Sequence, residues 1–116
     1  MRIATWNVNS VRTRAERIAA FLEREDVDVL AMQETKTADD KFPYATFEAA
    51  GYEVAHVGVS QWNGVAIASR VGLDNVRDSF TRQPAFAKKG DPSVEARAVG
   101  AVCGGVDVWS LYVPNG

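Results

Sequence analysis

The segment VDVLAMQ, residues 27 to 33, is apolar at almost every position and then breaks off into Glu34, Thr35 and Lys36. A strand with one wet face alternates apolar and polar residues, whereas an unbroken apolar run of this length marks a strand covered on both faces. The chain must therefore place a layer on either side of it. RIATWNV, earlier in the chain, alternates and reads as a strand ending near Asn7. Between the two, Thr13 and Glu16 have the spacing of a capping box, and Ile18, Phe21 and Leu22 form one apolar stripe, so a helix is expected over about 13–25. Strand, helix and strand in that order make a crossover connection, which pairs the strands in parallel and brings their C-terminal ends to one edge. Asn7 and Glu34 are thereby expected to be neighbours.

Downstream, KTADDKFP reads as a polar loop and YATFEAAGY as a short helix stopped by Gly51. Strands are expected at YEVAHVG, GVAIAS, part of GLDNVRDSF, EARAVGAVC and DVWSLYV, with QWNG, AKKGDPS and GGVD as turns. This order gives an α/β chain of the α+β type, a mixed sheet of about six strands with helices on one face. The other face then lacks a cover, and the chain stops at LYVPNG directly after a strand. The expectation is a fragment of a larger domain, whose open apolar face pairs with a missing half or with a second copy.

Composition narrows the chemistry. The chain has 116 residues, 47% of them hydrophobic, which suits one folded domain. Its net charge of -2 and pI near 5.3 lack the basic balance of a nonspecific nucleic-acid binder, so any such site must be local. One cysteine, Cys103, and one histidine, His56, leave no internal disulfide and no Cys/His zinc cluster. Cys103 in AVGAVCG reads as a buried bystander and His56, flanked by Val54, Ala55 and Val57, as structural. With no apolar run long enough for a signal sequence or a membrane span, the chain is expected to be cytoplasmic, with no membrane partner.

Glu34, at the end of a covered strand, is placed to hold a hard divalent cation, and Asn7 offers an amide oxygen at the same edge. The plainer reading is a solvated strand end and a turn cap; the residues alone leave both open. Lys36 could pair with Glu34 or with a phosphate if the strand persists. Arg12, Arg14 and Arg17 near the helix start could meet phosphates, although cations there oppose the helix dipole. Trp62 in the QWNG turn could stack on a base or pack on its own sheet. Tyr112 could donate its phenolic O–H to a phosphate oxygen, and Asn115 follows it past Pro114.

Taken together, TWNVNSVRTR, DVDVLAMQETK, GVAIAS and LYVPNG, in this order and at these intervals, closely resemble the N-terminal half of the exonuclease III and AP endonuclease branch of the endonuclease/exonuclease/phosphatase superfamily. The resemblance covers nearly the whole chain. It implies half of a DNase I-like four-layer αββα sandwich and a Mg²⁺-dependent phosphodiester hydrolase of DNA repair, with Mn²⁺ as the alternative ion. The implied substrate is duplex DNA, cut 5′ to abasic sites or trimmed at 3′ ends. Carried over by position, Glu34 is the metal ligand, Asn7 supports metal and phosphate, and Tyr112 contacts the scissile phosphate. Asn9, Lys36, Arg12, Trp62 and Asn115 fall on the substrate side. On this view a rigid strand aims Glu34 at the metal.

The family's later Gly-Asp-x-Asn and Ser-Asp-His segments have no counterpart in the chain. Hydrolysis needs an oriented water and charge stabilisation beside a metal, so little or no activity is expected from this chain alone. The competing readings are a superfamily phosphoesterase acting on phospholipid, inositol phosphate or RNA, and a noncatalytic DNA-end binder or interaction module. The acidic balance weighs against a binder, whose cations would have to come from Arg12 to Arg17 with Lys88 and Lys89.

Overall fold

The computed structural model describes residues 1–78, 86–87, 92–93 and 96–113. The elements run β1 (Ile3–Asn7), α1 (Val11–Arg24), β2 (Val29–Gln33), a 3-10 turn (Asp39–Lys41), α2 (Tyr44–Ala49), β3 (Glu53–Val57), β4 (Val65–Ser69), β5 (Asp74–Arg77), β6 (Phe86–Ala87), β7 (Pro92–Ser93), β8 (Ala98–Cys103) and β9 (Val106–Leu111). The strands do not form one sheet. One four-stranded sheet has the order β1-β2-β4-β3, a second has β5-β8-β9, and β6 pairs with β7.

β1 and β2 are parallel, with Asn7 opposite Gln33, as the crossover requires. β4 runs antiparallel to both β2 and β3. Alternation along the strands then separates two cores. Leu30, Met32, Ala66 and Ala68 face α1 and α2, where they meet Ile18, Leu22 and Phe47. Val29, Ala55, Val65 and Ile67 face the other way and meet Val99, Ala101, Cys103 and Val108 of the second sheet. Every residue of β4 is buried, and so are the apolar residues of β2.

This layering corrects the expected open face. β8 and β9 leave the first sheet and pack across it, so the chain covers both faces of β2 and β4 itself. Run length alone shows that a strand is sandwiched; it carries no information about which later segment does the covering.

The start of α1 is also corrected. Val11, Ala15, Ile18 and Leu22 form the buried stripe, but the helix begins two residues before Thr13, whose hydroxyl donates back to the Ser10 carbonyl at 3.3 Å. The N–H groups of Ser10 and Val11 donate instead to the carbonyls of Glu34 (2.9 Å) and Thr35 (3.0 Å). Tertiary carbonyls thus do the work of a side-chain cap. α2 ends as read, with Gly51 at φ 91°.

On one side of the molecule both sheets end in edge strands, β1 above and β9 below, whose outer edges have no strand partner among the described residues. Ile3, Thr5, Ala31, Gln33, Val108 and Leu111 line the groove between them, and Ile3 and Leu111 are each 46% exposed.

Candidate active site

Two hydrogen bonds pin the second sheet under the first, and a third ties β2 to β1 beside them. Ser110 donates its hydroxyl to the Met32 carbonyl at 2.7 Å, while the Gln33 amide donates to Ser110 Oγ at 3.1 Å and to Thr5 Oγ1 at 3.0 Å. Two residues further along both strands, Tyr112 stands over Glu34. Its phenolic O–H donates to Glu34 Oε1 at 3.0 Å. The Tyr112 N–H is held by the Arg97 carbonyl at 2.9 Å, and the Arg97 guanidinium lies 4.8 Å from the ring centroid. The bond to the carboxylate, then burial, push the Tyr112 phenol above its usual range, so it stays a donor.

Glu34 itself lies just past β2, so the strand does not aim it. Glu34 and Lys36 both adopt left-handed backbone, at φ 54° and 55°, and so do neighbouring Asn9 (45°), Ser10 (87°) and Asn63 (57°). Asparagine tolerates this region, whereas each longer side chain there costs about 1–3 kcal/mol and persists only where surroundings enforce it. The enforcement is visible. Thr35 N–H donates to Gly64 O at 3.1 Å and Lys36 N–H to Asn63 O at 2.8 Å, while the carbonyls of Glu34 and Thr35 receive the start of α1.

The same geometry corrects the Lys36 expectation. A left-handed break removes the strand alternation that would put Lys36 on the side of Glu34, and its ammonium donates instead to Asn9 Oδ1 at 2.6 Å. Asn9 is held in turn through its N–H on Asn7 Oδ1 at 3.2 Å and its carbonyl under Arg14 Nη1 at 2.6 Å. Asn7, Asn9, Glu34, Lys36 and Tyr112 therefore share one edge. Arg12 is exposed close by on the first turn of α1. Trp62 is 60% exposed, beside Asn63. Asn115, Pro114, Lys88 and Lys89 lie outside the described residues.

Thr35, His56 and Arg97 escaped the sequence reading as contributors to this region. Thr35 sat inside a motif noted for its flanking charges. Arg97 offered one weak signal, a cation opening an apolar strand.

Among the described residues no group of three or more His, Cys, Asp or Glu side chains comes together. Glu34 nevertheless brings a carboxylate and Asn7 an amide oxygen to this edge, oxygen donors of the kind hard divalent cations take. No described helix is long and apolar enough to cross a membrane.

A model of the Endonuclease/Exonuclease/phosphatase family matches residues 4–101. The chain belongs to this family. Exodeoxyribonuclease III of Haemophilus influenzae is 34% identical over 89 residues, which make up 77% of this chain and 33% of that protein. An AP endonuclease from Archaeoglobus fulgidus, 41% identical, superposes with a TM-score of 0.80 over 98% of this chain and 42% of its own. The 3′-5′ exonuclease of Neisseria meningitidis, 35% identical, gives 0.81 over 97% and 41%. A Neisseria 3′ phosphatase bound to a product DNA hairpin matches equally well. The two-sheet α+β architecture is the DNase I-like fold of these family members, and the chain spans only a third to two fifths of their length.

Proposed function

We propose that the chain is the N-terminal portion of a single exodeoxyribonuclease III-like domain. In the complete domain it serves Mg²⁺-dependent phosphodiester hydrolysis of duplex DNA, at abasic sites and at blocked or unblocked 3′ ends, with Mn²⁺ as an alternative ion. The observation that carries this reading is the meeting of Tyr112 and Glu34 at the edge where Asn7, Asn9 and Lys36 also gather. Relatives of 34–41% identity bear nuclease and AP endonuclease names, and one solved relative holds DNA.

Bound at Glu34 and Asn7, the ion would supply positive charge to a phosphate oxygen. The chain's own groups do the rest of the binding work. Tyr112 offers an O–H donor that remains protonated, Lys36 a cation poised on a neutral amide, and Arg12 a further contact to the DNA backbone. Trp62 offers an exposed ring for a base or sugar. The acidic balance of the chain sets no obstacle, because these cations are local. A cytoplasmic setting fits a role in DNA repair.

Neither a water-orienting aspartate nor a histidine that could face the phosphate is found among these edge residues, so the chain alone has little or no activity. The groove between β1 and β9 is where the remaining half would join. Among the described residues both are edge strands there, next to exposed Ile3 and Leu111, and self-association through the same edges is the competing outcome.

The test is incision of duplex DNA carrying one abasic site, by the chain alone and mixed with the C-terminal half of a related enzyme, alongside small phosphoesters. Incision on mixing that disappears with Glu34→Ala supports the reading. Hydrolysis of small phosphoesters alone would move the substrate class, and DNA binding without cleavage would indicate a noncatalytic module.

A further inference from the structure

Besides its backbone bonds to Asn63, Gly64 and the start of α1, the Glu34 segment has a side-chain anchor, and the role inferred for it rests on the reading of Glu34 as a metal ligand. Thr35 separates the two left-handed residues and is completely buried. A buried hydroxyl requires a partner. It finds Nε2 of His56 at 2.8 Å. Across the ring, Nδ1 stands 2.7 Å from Asp39 Oδ1, an oxygen that also receives the Gly58 N–H at 3.0 Å. Nδ1 lacks the alignment of a hydrogen bond to that oxygen, but a proton on Nδ1 is the assignment that suits an adjacent carboxylate, and it leaves Nε2 to accept from the Thr35 hydroxyl.

Glycines make room for both halves of this contact. A Cβ at Gly58 would lie 2.5 Å from His56 Cε1 and 2.2 Å from the Thr37 carbonyl oxygen; one at Gly64 would lie 2.1 Å from Thr35 Oγ1. Gly64 is also the residue whose carbonyl receives the Thr35 N–H. The hydroxyl and imidazole thus sit where the segment carrying Glu34 and Lys36 joins the turn carrying Trp62. Phe42 closes the ring's other side at a centroid distance of 4.5 Å. Hydroxyl, imidazole and carboxylate in a row could suggest a nucleophile, but the Thr35 hydroxyl is sealed from solvent and no substrate reaches it.

We propose that His56 is a positioning residue: through Nε2 it fixes the Thr35 hydroxyl and so holds Glu34 and Lys36 in the left-handed geometry that presents them beside Tyr112 and Asn9. His56→Phe keeps a ring and removes both nitrogens. His56→Gln keeps hydrogen-bonding capacity, and Thr35→Val removes the hydroxyl at constant shape.

The experiment measures, in the 116-residue chain, ¹³Cα shifts at Glu34 and Lys36 and the affinity for Mn²⁺ alone, with thermal melts confirming that each variant folds. The Cα shifts should leave left-handed values in His56→Phe and Thr35→Val, Mn²⁺ affinity should fall roughly tenfold in both, and His56→Gln should restore both readouts to within about threefold of the parent affinity. Unchanged shifts in Thr35→Val and His56→Phe overturn the proposal, as does Mn²⁺ affinity that survives in these variants while Glu34→Gln loses it. If Glu34→Gln binds Mn²⁺ normally, the metal reading fails on its own, and the shifts alone decide the role of His56.

Discussion

Tyr112 and Glu34, 78 residues apart in sequence, share a hydrogen bond of 3.0 Å across the two sheets. Ser110 and Met32 hold the same relationship two residues earlier, at 2.7 Å. The edge chemistry therefore inherits its register from the sheet packing, and a change at either level should be felt at the other.

Tyr112→Phe removes the donor and little volume. The folded chain should lose no more than about 1 kcal/mol, because the bond is partly solvated, while incision by the reconstituted domain should fall roughly tenfold or more. Alkaline titration followed by tyrosinate absorbance gives an independent reading. The Tyr112 phenol titrates above its usual value of about 10. Its contribution to stability is thus complete below that value and is lost as pH rises through the folded pKa. The variant should lose the Tyr112 step.

Acid should weaken the chain through His56. Burial holds its imidazole below the ordinary value, with Asp39 pulling the other way. As pH falls below about 6.5 the unfolded chain takes up the proton first. Stability should then decline from there down to the folded pKa, since the unfolded state binds more protons in that window. Urea denaturation at pH 7.5 and 5.5 checks this, and His56→Gln should flatten the difference. An equal slope in that variant would assign the acid sensitivity elsewhere.

Two glycines with nearly the same backbone should respond differently to alanine. Gly51 and Gly64 lie at φ 91° and 93°, but a Cβ at Gly51 meets nothing within 4 Å while one at Gly64 strikes Thr35 Oγ1 at 2.1 Å. Gly51→Ala should cost about 1–2 kcal/mol, the price of a left-handed alanine. Gly64→Ala should cost a further ~1–3 kcal/mol from overpacking. The comparison is made by urea denaturation of both variants.

Packing between the sheets can be tested at Ile67, which is completely buried among Val29, Val99 and Val108. Ile67→Ala should destabilise by about 2–5 kcal/mol. A cost below 1 kcal/mol would mean that the second sheet does not cover the first in solution.

The sequence made the parallel β1/β2 pair, the two helices and the edge shared by Asn7 and Glu34 legible, because crossover topology and hydrophobic period are local signals. The division into two sheets was not legible, since GVAIAS and EARAVGAVC look equally buried whichever sheet they join. At the site, Glu34 and Tyr112 could be named from their motifs. The left-handed backbone at Glu34 and Lys36 could not, because it is imposed by partners at Asn63 and Gly64 and by the start of α1. For the same reason the pairing of Lys36 with Glu34, one of two partners considered should the strand persist, gives way to a bond with Asn9.

The most direct test of the account is a residue-by-residue map of paramagnetic broadening as Mn²⁺ is titrated into the chain. Broadening centred on Asn7, Glu34 and Tyr112, and abolished by Glu34→Gln, is the predicted result. Broadening that leaves this edge untouched, for instance around Asp26 and Asp28 or Asp39 and Asp40, or that survives Glu34→Gln, would contradict it.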